Sequence, residues 1–268
     1  MTTLAIAGIG VCATGMIDWT QARSVLEADM QTALDPLPRL APECLPPVER
    51  RRANATTRLA ISAAMQAVEG MLPEDIAQLP TVFSSSDGDG DVLASMLVAL
   101  AQPQVVLSPT LFHNSVFNAP AGYWSIGSRA HAASITVSAG AASFVAGLRE
   151  ARGQVLARGA PVLYIAFDAP FPAALASFAR SAEPFACALR LQPATESGGH
   201  KYGRIDRPGP ERAEDERDEP LPSVLRRRFF ANSAADALPL LLAIARRRRA
   251  RIAFPWLDGS RLWLDYAP

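Results

Sequence analysis

Lysine is nearly missing from this sequence: the 26 basic residues include a single lysine, Lys201. Arginine carries the rest, and because a guanidinium keeps its charge, those positions cannot shuttle protons. Cysteine is scarce too. Cys12, Cys44 and Cys187 are odd in number and lack CxxC or CxxH spacing, which argues against a disulfide framework and a zinc site and points to a reduced, cytoplasmic setting. Charge of one sign is also lacking, since 26 acidic residues balance the basic ones, so no global field draws the chain to nucleic acid or an anionic membrane. The arginine runs have no interleaved aromatic residues to support base stacking. No stretch reaches the roughly 18 uninterrupted apolar residues of a spanning helix, and Met1-Thr2-Thr3 has no basic n-region, so neither a membrane span nor export is expected. What is present is 268 residues with 49% hydrophobic content, enough for one sizeable core without metal or disulfide.

Leu4 to Val11 is a short apolar run interrupted by Gly8 and Gly10, a buried strand leading into a turn. Residues 35 to 47 contain Pro36, Pro38, Pro42, Pro46 and Pro47. Proline removes backbone donors and fixes φ, so this stretch is a surface connection. Leu59, Ala63, Ala67 and Met71 follow at helical spacing. Thr81-Val82-Phe83 then predicts a strand, Ser84 to Asp91 a polar loop, and Val92, Leu93, Met96, Leu97 and Leu100 a helix. The pattern repeats with Ser134-Ile135-Thr136-Val137 as strand, 138 to 142 as a small-residue turn, 142 to 157 as helix and 161 to 167 as strand. Such alternation indicates an α/β fold with a largely parallel sheet. Residues 193 to 223 are rich in Pro, Gly and charge, with an acidic run over 211 to 219, and are expected to be a flexible loop. Ala234 to Arg249 predicts a helix with cations at its carboxyl end, and Asp258-Gly259 a two-residue hairpin turn whose Pro255 restricts its strand to a sheet edge. The division predicted is 1–192 as the main domain, 193–223 as loop, and 224–268 as a helix and hairpin packing on that domain.

Four segments in order resemble the β-ketoacyl synthase family of the thiolase-like fold. Leu4 to Val11 is similar to the opening strand, usually ending in TGxGxVS. Arg51 to Val68 is similar to an arginine-led, alanine-rich helix. Asn118-Ala119-Pro120-Ala121-Gly122 resembles the N-x-x-A-G before the active-site strand, and Ser134 to Ala146 resembles xITVDTACSSSLVA, the segment carrying the nucleophile. The resemblance spans about residues 1 to 190. It implies a thiolase-like half-domain, a mixed and mostly parallel five-stranded sheet between helices, with a C-terminal helix and hairpin appended.

The family's cysteine stands at a strand-to-helix turn, where the helix N-terminus and backbone amides activate it and stabilise an oxyanion. Here its position falls on Gly140, Ala141 or Ala142, none of which can attack a thioester. The family's two histidines belong to a second half for which the chain ends too early, and beyond residue 131 the only histidine is His200. The resemblance therefore implies a non-catalytic, cofactor-free, chain-length-factor-like subunit, as in aryl-polyene and related synthases. Such a subunit pairs with an active ketosynthase through Ser134 to Val137 and walls its acyl tunnel, with Phe112, His113, Asn114, Phe117 and Tyr123 as candidates. Arg226, Arg227, Arg228, Arg246 and Arg247 are candidates for docking an acidic acyl carrier protein, although a solvated basic face explains them equally well. Two rivals remain: a serine acyltransferase or hydrolase using Ser138 or Ser143, where no GxSxG or SxxK pattern supports activation, and a nucleotide-binding module using Gly8-x-Gly10-x-x-Ala13. A calcium loop over Asp87 to Asp91 fails, because its sixth position is Val92 and its twelfth Val98.

Overall fold

Strand β1 (Leu4–Ala13) is buried along nearly its whole length, as expected of an apolar run covered on both faces. After it, α1 (Trp19–Glu27) is capped by Asp18, whose carboxylate accepts from the Gln21 N–H at 2.8 Å. The proline-rich connection forms no regular element before α2 (Pro47–Arg52), which starts on its last proline. Asn54 caps α3 (Ala55–Ala67) at the Thr57 N–H, 2.7 Å away. Buried Ala60, Ala63, Ala64 and Ala67 let that helix lie very close to β1. A Cβ on Gly8 or Gly10 would stand 1.9 Å from the Ala67 or Ala63 carbonyl oxygen, so these glycines serve helix-on-strand contact.

The computed structural model describes residues 3–28, 34–178, 181–194, 201–206 and 221–268. Beyond α3 come α4 (Pro73–Ala77), β2 (Thr81–Ser84), α5 (Gly90–Leu100), α6 (Pro109–Asn114) and α7 (Ala119–Ser128). Then follow β3 (Ser134–Val137), a 3-10 turn at Gly140–Ala142, α8 (Ser143–Arg158) and β4 (Val162–Asp168). β5 (Phe185–Pro193), β6 (Arg204–Ile205) and α9 (Ser223–Arg228) precede a 3-10 turn at Ala234–Ala237, α10 (Leu238–Ala245), β7 (Ala250–Pro255) and β8 (Arg261–Ala267). The acidic run 211–219 and His200 lie outside the described residues.

One sheet of order β3-β2-β4-β5-β1-β6-β8-β7 forms among the described residues. Its first five strands are the mixed α/β layer expected. β2 pairs in parallel with β3 and β4, and β5 runs antiparallel to both β4 and β1, so β5 alone opposes the other four. The strand count is the correction: the sheet continues from five strands to eight. Residues 204–205, inside the stretch expected to be loop, pair with both β1 and β8 and carry the hairpin into the same sheet. That hairpin also turns differently. Its last pair is Pro255 with Arg261, and the loop closes through Trp256 and Ser260, so five residues connect the strands. Pro255 does lie on the edge strand β7.

Alternate residues of the strands face opposite layers. Val82, Tyr164, Ala166 and Leu189 pack with α1, α8 and α10, whereas Phe83, Leu163, Ile165 and Phe167 pack with α3 and α7. α10 is shorter than the 234–249 helix expected. Arg247 turns left-handed at φ 49, and the Arg248 N–H reaches back to the Ala243 carbonyl at 3.1 Å, closing the helix as a Schellman-type end does.

Candidate functional site

β3 is a sheet edge, hydrogen-bonded on one side to β2 and open on the other. Ser134 and Ile135 are exposed there and Thr136 and Val137 half-buried. The chain then bends sharply: Ala139 has φ -146 and ψ 33, and Gly140 enters the left-handed region at φ 55, which a side-chain-bearing residue rarely adopts. A Cβ added to Gly140 would meet nothing within 4 Å. Ala141 is exposed and Ala142 faces the core. Gly140, Ala141 and Ala142 thus put only hydrogen or methyl on this turn.

The two serines beside the turn are structural. Ser143 is fully buried; its hydroxyl donates to the Gly140 carbonyl at 2.8 Å and accepts from the Ala139 N–H at 2.9 Å. Ser138 is exposed and donates to the Ser86 carbonyl at 3.3 Å. Both hydroxyls are engaged with backbone, which disfavours the serine-hydrolase alternative. Tyr164 fastens the start of α8 to the sheet, donating to the Phe144 carbonyl at 2.5 Å with the Ser84 hydroxyl 2.8 Å away.

Next to the elbow, the polar loop after β2 borders a cleft of about 330 Å3. Asn114 and Phe117 line it, with Val92, Leu93 and Met96 of α5 opposite and Phe167 below. Phe117 closes against Gly88, where an added Cβ would sit 3.3 Å from its ring. Tyr123, one of the expected wall residues, packs fully buried in the core and donates its hydroxyl to Asn114 at 3.0 Å. His113 stacks edge-on against the Tyr123 ring at 5.7 Å. Phe112 points to solvent at 61% exposure.

α5 is apolar in sequence yet buries only Gly90 and Val92. Leu93, Leu97, Val98 and Leu100 are exposed, as are Val105, Val106, Val116 and Ile126. Most exposed large hydrophobic side chains among the described residues thus fall between residues 93 and 135, on α5 to α7 and β3. An apolar face of that kind marks a surface built to be covered.

Asp168 and Asp236 were not anticipated from the sequence. Asp168, at the end of β4, accepts from the Ser85 hydroxyl at 2.7 Å and the Ser86 N–H at 2.8 Å, fixing the loop that borders the cleft. Its Oδ2 is buried with no hydrogen-bond partner among the described residues. Burial pushes Asp168 up to about 6 and, together with the Asp168 charge, Asp236 up to about 7. Burial also raises Asp89, although its carboxylate caps α5 at the Val92 N–H, 2.8 Å away.

The five arginine candidates separate onto two elements. Arg226 and Arg227 are exposed on α9, while Arg228 pairs with Glu183 at 3.0 Å. Arg246 follows α10 and donates to the Leu26 carbonyl at 3.3 Å; Arg247 is exposed beside it. Cys12 is pushed up to about 12 by burial, and burial raises Cys44 and Cys187 as well, so none offers a thiolate. α3 closes on Gly8 and Gly10 from the side on which a side chain would project, so these glycines are accounted for by helix packing. Among the described residues no group of three or more His, Cys, Asp or Glu side chains could hold a metal, and no helix is long and apolar enough to cross a membrane.

A family profile described as the N-terminal domain of β-ketoacyl synthases matches residues 17–235. No curated protein matches the sequence. Among solved structures, a chain of the complex between a ketosynthase and its chain length factor from Xenorhabdus doucetiae superposes with TM-score 0.71 at 22% identity, covering 99% of each chain. The ishigamide ketosynthase/chain length factor matches with TM-score 0.75 at 13% identity, over 98% of this chain and 99% of that one. A β-ketoacyl synthase from Burkholderia phymatum matches with TM-score 0.63 at 16% identity, over 87% of this chain and 71% of the other. Likenesses at these identities establish the fold, which is thiolase-like.

Proposed function

The chain belongs to the β-ketoacyl synthase family, and from that premise we propose that it is a non-catalytic, chain-length-factor-like subunit that pairs with an active ketosynthase. The observation that carries this proposal is the elbow after β3: the backbone bends as a nucleophile-bearing turn would, and Gly140, Ala141 and Ala142 put no reactive atom on it. A chain without a nucleophile acts through what it touches.

Two features support pairing. The open edge of β3 offers unpaired backbone donors and acceptors to a second strand, and the uncovered apolar faces of α5 and α6 lie on the same part of the chain. In this proposal the cleft between α5 and α7 becomes part of the partner's acyl tunnel. Phe117 and Asn114 form its wall, Phe112 and His113 reach toward the partner, and Tyr123 positions Asn114 from behind. The length of the chain built in polyketide, aryl-polyene or fatty-acid-like synthesis then depends on where those side chains stop it. The setting is the cytoplasm, and an acidic acyl carrier protein docks on Arg226 and Arg227 or on Arg246 and Arg247.

Co-expression with a panel of active ketosynthases, followed by size-exclusion chromatography with light scattering, tests the proposal. A heterodimer is expected that catalyses elongation, whereas this chain alone takes up no acyl group from a thioester by intact-mass spectrometry. A chain that stays apart from every such ketosynthase, or that becomes covalently acylated, overturns it.

A further inference from the structure

Far along the sheet from β3, a depression of about 430 Å3 opens between α1, the turn before β6 and the carboxyl end of α10. That volume lies within the roughly 300–1,000 Å3 of small-molecule sites. β6 is five strand positions from β3, or about 24 Å at about 4.8 Å per strand, so the depression is separate from the elbow, the cleft and the apolar face.

Its wall combines rings with cations. Trp19, Tyr202 and Tyr266 supply the rings, and Arg23, Lys201 and Arg247 the charge; the described lining residues also include Pro268 and no Asp or Glu side chain. The rings fix one another. Trp19 meets Tyr202 edge to face, centroids 6.2 Å apart at 89°, and Tyr266 donates its hydroxyl to the Tyr202 carbonyl at 3.2 Å. Arg23 is satisfied by Glu27 at 2.7 Å. Lys201 lies 4.9 Å over the face of Tyr202 and has no carboxylate partner among the described residues; nor has Arg247, which approaches the buried Tyr266 hydroxyl closely enough to lower its pKa against the effect of burial. In a chain whose charges balance overall, two cations with no ion-pair partner among the described residues converge from different elements on an aromatic wall, a local arrangement that an anion would complete.

We propose that this depression binds a small planar aromatic anion of the nucleoside monophosphate class, its ring against Trp19 and Tyr202 and its phosphate between Lys201 and Arg247. A phosphate has about two negative charges and three acceptor oxygens, which suits two cations arriving from separate elements; a carboxylate is satisfied by a single guanidinium fork. The ring earns its place by stacking and by the apolar floor of Ile244 and Ala245. This depression shares Trp19, Lys201 and Tyr202 with a neighbouring one lined by Gly8, but neither Gly8 nor Gly10 lines it.

Isothermal titration calorimetry of the full chain with adenosine monophosphate, inorganic phosphate and benzoate tests the proposal. Saturable binding of the nucleotide is expected, with phosphate alone and benzoate alone each weaker by at least about tenfold. The double variant Lys201→Ala/Arg247→Ala, both exposed positions, should retain its melting temperature and lose at least about tenfold in nucleotide affinity, and Lys201→Ala alone about half of that effect in logarithmic terms. No saturable heat up to about 10 mM nucleotide overturns the proposal. So does unchanged affinity in the double variant, or either simple probe binding as tightly as the nucleotide.

Discussion

Replacing Asp236 by Asn should make the protein more stable, by more above neutral pH than in mild acid. Asp168 and Asp236 are raised from their ordinary 3.8 to about 6 and about 7, first by desolvation and then, for Asp236, by the Asp168 charge. Raised values mean that the folded chain holds protons the unfolded chain releases. Stability is therefore fully present below about 3.8 and is lost as pH rises through about 6 and about 7. With 1.36 kcal/mol for each pH unit separating folded from unfolded values, integration from about pH 5 to about pH 8 gives a loss of about 1 kcal/mol from Asp168 and about 3 kcal/mol from Asp236 if each titrates alone. Each disfavours ionisation of the other, so the pair titrates as a unit and about 4 kcal/mol is an upper bound. Urea unfolding of the wild type and Asp236→Asn at about pH 5, 6, 7 and 8 measures the difference. The gain from the Asn variant should be about 3 kcal/mol larger at about pH 8 than at about pH 5, and should vanish only below the ordinary carboxylate range. A wild-type profile that is flat or rises across this window, or an Asn variant that is less stable at the alkaline end, refutes the reasoning.

Gly10→Ala drives a methyl group to within 1.9 Å of the Ala63 carbonyl oxygen, and a loss of about 2–3 kcal/mol or more is expected in the same unfolding assay. Ser143→Ala removes the hydroxyl that ties the elbow together and should cost about 1–2 kcal/mol, while intact-mass spectrometry after incubation with an acyl thioester should give the same unmodified mass as the wild type. Leu97→Asp and Ile135→Asp, on the exposed apolar face, should each change stability by less than about 0.5 kcal/mol yet abolish co-elution with a ketosynthase, read by size-exclusion chromatography.

The strand-turn-helix units around β2 and β3 were legible because each combines a compact apolar run, a polar or small-residue break and a helical period. β5 was not. Phe185–Pro193 opens on a single aromatic and continues through Ala, Cys, Leu, Arg190 and Gln192 without a β-branched residue, and its place between β1 and β4 is what makes it a strand. The two-residue β6 is invisible for a related reason: two residues carry no period. The elbow could be found in the sequence because the resemblance locates it, and the hydrogens and methyls there are plain to read. The cleft was harder. Val92, Leu93, Met96, Leu97 and Leu100 are spaced as a helix facing its own core would be, and the structure covers only Val92; periodicity reports that a face is apolar, not what lies against it. Tyr123 shows the converse, since an aromatic residue near a cleft in sequence can belong wholly to the core.

An elbow without a nucleophile raises the question of what keeps it in shape. In a catalyst the strained turn presents a reactive side chain, and the strain is part of the mechanism. Here the bend is held by Ser143 bridging the Ala139 N–H and the Gly140 carbonyl, by Tyr164 gripping the Phe144 carbonyl, and by Ser138 joining the polar loop that Asp168 fixes. None of those contacts involves a side chain at Gly140, Ala141 or Ala142, so the turn holds its shape without one. The same contacts also set where β3 ends and where α8 begins. On the proposed pairing, this geometry has only to aim an interface, and it needs no reactive atom on the turn to do so.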